Sequence, residues 1–262
     1  EPMSRQKLAL TAGLGALVFA AQAVNAPVLP GTSAHLVGGV LLAWVLGPGL
    51  GAWTLAIVLA VQALVLGDGG LAALGANILN MGLLPAACVA VCRRSNVSGG
   101  SWSYATCAAA AAIAVPLAAL AIVGETALFR SGAELIGWQA FAARMIGTHV
   151  WIGVVEGGLT WAAVASIAWL GQTSWKPAVV SATAAATLAT IAFPWSSSLP
   201  DGYEAAAQAS GLGAWLAEGS AAVASLAAVL GEQGCLVAAM VGVAMLVAGL
   251  CAAIAPRGAL QA

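Results

Sequence analysis

The chain has 262 residues, 62% of them hydrophobic and 6% charged, with a formal net charge of −1. A soluble domain carries about 25% charged residues, so this composition excludes one and indicates an integral membrane protein. No basic surface is available, which argues against nucleic acid as a partner. The apolar runs are of helical length, near the roughly twenty residues that span a bilayer, whereas a barrel strand takes about ten. The expected fold is therefore all-α, a polytopic transmembrane helix bundle of about eight spans. The first residue is Glu1 and not Met, so the chain is expected to be processed, truncated or a fragment.

In chain order, Arg5 and Lys7 lead into a first run, Leu8 to Val28, with Gln22 and Asn25 near its far end. The second run, Thr32 to Leu46, is short for a span and follows the break PGTSAH, which holds His35. Thr32 or Ser33 is expected to cap its helix. A third run, Leu50–Leu66, and a fourth, Leu71–Val91, are separated by GDGG, in which Asp68 reads as a turn residue. Arg93 and Arg94 close the fourth. The fifth run covers Tyr104 to Leu128, the sixth Phe141 to Leu170, and the seventh begins at Lys176-Pro177 and ends near Phe193. A less apolar stretch with PDGYE at 200–204 precedes the eighth run, Cys235–Ala255.

Charge orients the bundle. If all eight runs cross, Arg5, Lys7, Arg93, Arg94, Lys176 and Arg257 share one side, and Arg130 and Arg144 face the other. The positive-inside rule then makes both ends of this chain cytoplasmic and turns His35, Asp68 and PDGYE outward. Glu134, Asp201, Glu204, Glu218 and Glu232 share that outer side.

Few polar residues lie at membrane depth. Glu156, near the middle of the sixth run, needs a partner or a water-filled cavity. Gln22, Asn25, Gln62, Asn77 and Asn80 are the candidate partners on other helices. Glu156 reads either as part of an internal hydrogen-bond network or as a coupling or substrate site. His149, seven residues earlier, is a metal ligand, a proton carrier or a packed donor. His35 stands at a helix entrance, on no apolar face, which favours a functional role. Asn77 and Asn80, at i, i+3 spacing, orient a ligand or bond across a close contact allowed by Gly75 and Gly82. The five cysteines form no C-x-x-C pair and read as buried apolar side chains. Neither a P-loop nor a metalloprotease or hydrolase motif is present, so no enzyme is indicated.

These residues resemble the CbiM/NikM family, the substrate-binding membrane components of energy-coupling-factor transporters for cobalt or nickel. The resemblance rests on PGTSAHLVGG, VLGPG, VQALVLGDGGLAALGANILNMG and HVWIGVVEG. It makes 1–174 the metal-binding membrane domain. Residues 175–262, with PDGYE, resemble the small two-span partner with its PDGLE motif, here fused in one chain. It implies transported Ni²⁺ or Co²⁺ with no permanently bound cofactor, and multi-pass insertion in a bacterial inner (plasma) membrane. The implied partners are a transmembrane coupling subunit, a pair of cytoplasmic ATPases and the lipid bilayer. His35 matches the ligand histidine of the G-T-[ST]-x-H motif; His149 is a further ligand candidate. Thr32, Ser33, Asn77, Asn80, Asp68 and Glu156 fall around the metal or along its path. Family members begin with Met-His-Ile on an additional helix, which EPMSRQK does not match, so an incomplete metal site is expected. The fused tail is expected to act in uptake and not in the first binding event. The alternative is a stand-alone ion-coupled permease in which His149 and Glu156 relay protons.

Overall fold

The computed structural model describes residues 4–94, 101–129, 135–170, 177–212, 236–237 and 239–248. Arg130, Glu134, Lys176, Glu218, Glu232, Arg257, Cys235, Cys251 and the two ends of the eighth run lie outside the described residues.

Helix α1 (Arg5–Gln22) starts at Ser4, whose hydroxyl accepts from the Lys7 amide at 3.2 Å. The first run ends as helix at Gln22, six residues before its expected limit at Val28. Pro27 and Pro30 lack the amide proton a continuing helix needs. The chain instead forms an antiparallel hairpin of β1 (Ala26–Leu29) and β2 (Thr32–Ala34), turning at Gly31 with φ +73°. That hairpin is the departure from an otherwise helical fold among the described residues.

Helix α2 (Gly39–Leu46) has eight residues. At 1.5 Å per residue it is about 12 Å long, against a hydrocarbon core of about 30 Å. The second run nevertheless joins the two ends of the bundle. Ser33 bonds to the carbonyls of Leu199 and Pro200 at one end, and the Arg93 guanidinium donates to the Trp44 carbonyl at the other. Residues 35–38, which belong to neither a helix nor a strand, link β2 to α2.

Among the described residues, five helical segments are long and apolar enough to cross a membrane: Pro48–Leu66, Leu74–Arg94, Ser103–Leu128, Gly137–Leu170 and Pro177–Trp195. The first is α3 (Pro48–Val61) continued by a π-helical turn at Gln62–Leu66. The second is α4 (Leu74–Asn77), a π turn at Ile78–Leu83, and α5 (Leu84–Arg94). The third and fourth lie within α6 (Ser101–Phe129) and α7 (Leu135–Leu170), and the fifth begins as α8 (Pro177–Thr187). A shorter apolar helix covers Ala239–Ala248.

One apolar core joins Leu14, Val18 and Phe19 of α1 to Leu41, Leu55 and Val58, and also to Ala185, Ala189, Val243 and Val247. The C-terminal part thus buries its apolar side chains against the first bundle. Cys107 is buried in this core, with Cys88 and Cys92 packed against it, all as free thiols. A smaller cluster places Ala206, Ala207 and Leu212 on Phe141 and Met145 of α7. It seats the short helix α9 (Gly202–Ala209), and Tyr203 meets the Phe141 ring edge-on at 5.8 Å.

Helices α6 and α7 approach closely because Gly153 and Gly157, one turn apart, expose backbone to backbone. A Cβ at Gly153 would stand 2.5 Å from the Ala112 carbonyl oxygen, and one at Gly157 2.8 Å from that of Ala108. Gly153→Leu is therefore expected to cost about 1–3 kcal/mol by overpacking. Gly158→Leu, where nothing lies within 4 Å of the new Cβ, is the control. Thermal unfolding in detergent checks this, and equal melting of the two variants would show that the contact is not tight.

Candidate functional site

The hairpin, the half-helix α2, both π turns and α9 meet around one cavity of about 480 Å³. His35, Asp68, Asn77, Asn80, His149 and Glu156 line it. Thr32 and Ser33 do not. They are buried in β2, where the Ser33 amide donates to the Pro200 carbonyl at 2.8 Å and its hydroxyl to the Leu199 carbonyl at 2.6 Å. Ser33 thus fastens the loop at 199–200 to the hairpin.

Neither residue caps α2. The N-cap is Gly38, at φ +73° and with no side-chain cap of its own. A Cβ there would also come 2.6 Å from Val18 Cγ1, so glycine is required on both counts. The capping acceptor arrives from α7. Glu156, 3% exposed, accepts from the Gly38 amide at 2.8 Å and the Val37 amide at 2.9 Å. Gln22 Nε2 donates to the Val37 carbonyl at 2.8 Å. Gln22, Asn25, Gln62, Asn77 and Asn80 are the partners that the sequence offers Glu156; its recorded partners in the fold are backbone amides. The reason is physical. Non-helical chain at membrane depth leaves peptide groups without intrahelical partners, and buried side chains must satisfy them.

Both imidazoles share one bonding pattern. His149 Nδ1 lies 2.7 Å from the Met145 carbonyl oxygen, and His35 Nδ1 lies 3.2 Å from that of Leu36. A carbonyl only accepts, so Nδ1 carries the proton in each bond and the Nε2 lone pair remains available. A backbone carbonyl on the far nitrogen is also how metal-binding imidazoles are commonly oriented. His35 lies within electrostatic reach of both His149 and Glu156.

Asp68 sits among Gly67, Gly69 and Gly70, all with positive φ, and its amide closes the π turn on the Gln62 carbonyl at 3.2 Å. It is a turn residue that also faces the cavity. Asn77 packs over Gly69. The close contact expected at Gly75 and Gly82 is absent: nothing approaches Gly75, and only the Ala52 carbonyl comes within 4 Å of Gly82. Asn80 instead donates through Nδ2 to both carboxylate oxygens of Glu125, at 3.0 and 3.2 Å. Glu125, near the end of α6, escaped the sequence reading. A lone carboxylate within the last turns of an apolar helix was the signal for it.

The PDGYE segment also forms cavity wall, through Asp201, Gly202, Tyr203 and Glu204. Asp201 and Glu204 make a reciprocal capping box for α9, at 2.8 and 3.1 Å, a D-x-x-E spacing that was legible in sequence. A Cβ at Gly202 would lie 2.8 Å from His149 Cε1. Burial, then the negative charge of Asp201, holds the Tyr203 hydroxyl above the ordinary phenol value, so it stays neutral at physiological pH. Backbone bonds between β2 and Pro200 bring the loop onto His149, a non-local pairing that composition does not reveal.

Among the described residues, five acids line the cavity, Asp68, Glu125, Glu156, Asp201 and Glu204, together with two histidines and no lysine or arginine. Among the described residues, no three His, Cys, Asp or Glu side chains converge as a metal-holding group. The family described as cobalt uptake substrate-specific transmembrane region, CbiM, matches residues 1–174. This chain belongs to the CbiM family.

Two of the relatives are named as fused proteins. The chain is 38% identical over 177 residues to a protein of Archaeoglobus fulgidus named as a fused nickel transport protein, NikMN. That match covers 62% of this chain and 54% of the relative. The fused nickel transport protein NikMN of Rhodobacter capsulatus is 36% identical over 124 residues, 43% of this chain and 36% of that one. The chain therefore spans about half or less of these relatives' length. A crystal structure of a transition metal transporter superposes with TM-score 0.53 at 28% identity, over 63% of this chain and 77% of that one. This CbiM chain is a multi-pass membrane protein whose relatives are nickel and cobalt transport proteins.

Proposed function

We propose that this chain captures Ni²⁺ or Co²⁺ as the substrate-binding subunit of an ATP-driven energy-coupling-factor importer in a bacterial plasma membrane. Residues 1–174 form the capture bundle and 175–262 a fused two-span partner segment. A separate coupling subunit and a pair of cytoplasmic ATPases supply the energy. The observation that carries the reading is the cavity lining: carboxylates, amides and two Nε2-available imidazoles, without one fixed positive charge. Such a wall favours a cation, and imidazole suits nickel and cobalt alike. His35 is the principal ligand on this reading and His149 the second. Asp68, Asn77 and Asn80 border the path, while Glu156, Thr32 and Ser33 hold the backbone around it. Both Glu156 oxygens accept backbone amides, which favours this scaffold role over a proton relay with His149.

Uptake of radioactive nickel by cells lacking their own importer tests the reading. The chain, produced with its coupling subunit and ATPases, is expected to import nickel only while the ATPases are active. Import undiminished by inactive ATPases would replace this reading with the stand-alone permease.

A further inference from the structure

Resting on that reading, we infer that Asn80 and Glu125 form a second, oxygen-donor station for a hydrated divalent cation, separate from the imidazoles. Asn80 is 1% exposed and lines the cavity, yet its Oδ1 has no partner among the described residues. A buried amide oxygen left unpaired costs free energy, about 1–3 kcal/mol, unless something else meets it. The orientation of the amide follows from its neighbour. An ionised carboxylate accepts only, so the amide nitrogen must face Glu125, and it does so with both carboxylate oxygens. The pair therefore rests with the Glu125 charge covered by N–H groups and an acceptor left over.

A cation reverses that arrangement. The Asn χ2 torsion is broad and roughly two-fold, so half a turn exchanges nitrogen for oxygen. Glu125 and Asn80 Oδ1 then face the ion together. Gln22, 4% exposed, also keeps an unpartnered Oε1 on the wall of the same cavity. One carboxylate and neutral oxygens are hard donors that suit a cation retaining most of its water. The π-helical turn at Ile78–Leu83 is what carries Asn80 to this place, and such turns are frequent at functional sites. The station holds the ion weakly and hands it to Nε2 donors, which bind nickel and cobalt more strongly than oxygen does.

Manganese is the probe, because it prefers oxygen donors and its paramagnetism reports binding directly. Full-length protein carrying His35→Ala is purified in detergent and titrated with Mn²⁺. An affinity of roughly millimolar is expected. Adding Glu125→Gln is expected to weaken it at least about tenfold, since one formal charge beside the ion is lost. Asn80→Asp supplies a second carboxylate and is expected to tighten Mn²⁺ binding several-fold while lowering thermal stability in metal-free buffer. Mn²⁺ binding unchanged by Glu125→Gln, or weakened by Asn80→Asp, would overturn the station. Absence of Mn²⁺ binding in the His35→Ala protein would do the same. Nickel import is measured separately: its absence in the wild type, with Mn²⁺ binding intact, would sink the transport reading and leave the station standing.

Discussion

His35→Ala is expected to abolish nickel and cobalt import while leaving the bundle folded. The side chain is partly buried on the cavity wall and bonds through Nδ1 to the adjacent Leu36 carbonyl, so truncation removes little tertiary bonding. What it does remove is a neutral imidazole nitrogen on a wall whose other donors are mostly oxygen. A divalent late transition metal loses far more from that exchange than from loss of a carboxylate in its path. Initial import rates should fall by about tenfold or more, which corresponds to about 1.4 kcal/mol of lost binding per decade. His149→Ala should have a smaller effect, because that imidazole also serves as a surface for Gly202 and part of its loss is mechanical. Calorimetric titration with nickel, beside a thermal melt of each variant, separates ligation from folding. Wild-type affinity in folded His35→Ala protein would remove His35 from the site.

Glu156→Ala is expected to be the most destabilising single change in the cavity wall. It leaves the Val37 and Gly38 amides buried without an acceptor, and each such group costs about 1–3 kcal/mol. The loss lands on the turn between His35 and α2, so metal capture should fail together with stability. Glu156→Gln keeps one acceptor oxygen in nearly the same volume and should recover part of both. A proton relay makes the opposite forecast. Glutamine cannot carry the proton, so import would cease while the melting temperature stayed at the wild-type value. Measuring import and melting on the same two variants decides between them.

The family and most of the helical runs were legible in the residues themselves. Runs of some twenty apolar residues admit few alternatives to membrane helices, and the PGTSAHLVGG and GANILNMG blocks are long enough to identify the CbiM family, which the match over 1–174 shows. Of the cavity positions, Asn77, Asn80, His149 and Glu156 could be singled out because a polar side chain is costly wherever lipid replaces water, and His35 by its place at a helix entrance, whereas Asp68 read as a turn residue. What those side chains bond to was decided only by tertiary structure. Glu156 serves the backbone of residues 37 and 38 because the amides at a helix entrance have no intrahelical acceptor and the Gly38 N-cap has no side chain to supply one, and nothing local to either segment specifies that they meet. Glu125 finds Asn80 across 45 positions of sequence, and Ser33 finds Leu199 across 166. The hairpin of 26–34 and the seating of PDGYE on His149 belong to the same class. Hydropathy records which residues leave water, since that cost is paid residue by residue. Pairing depends on the whole chain arriving at once, because a buried donor or acceptor takes whichever partner packing brings within about 3 Å.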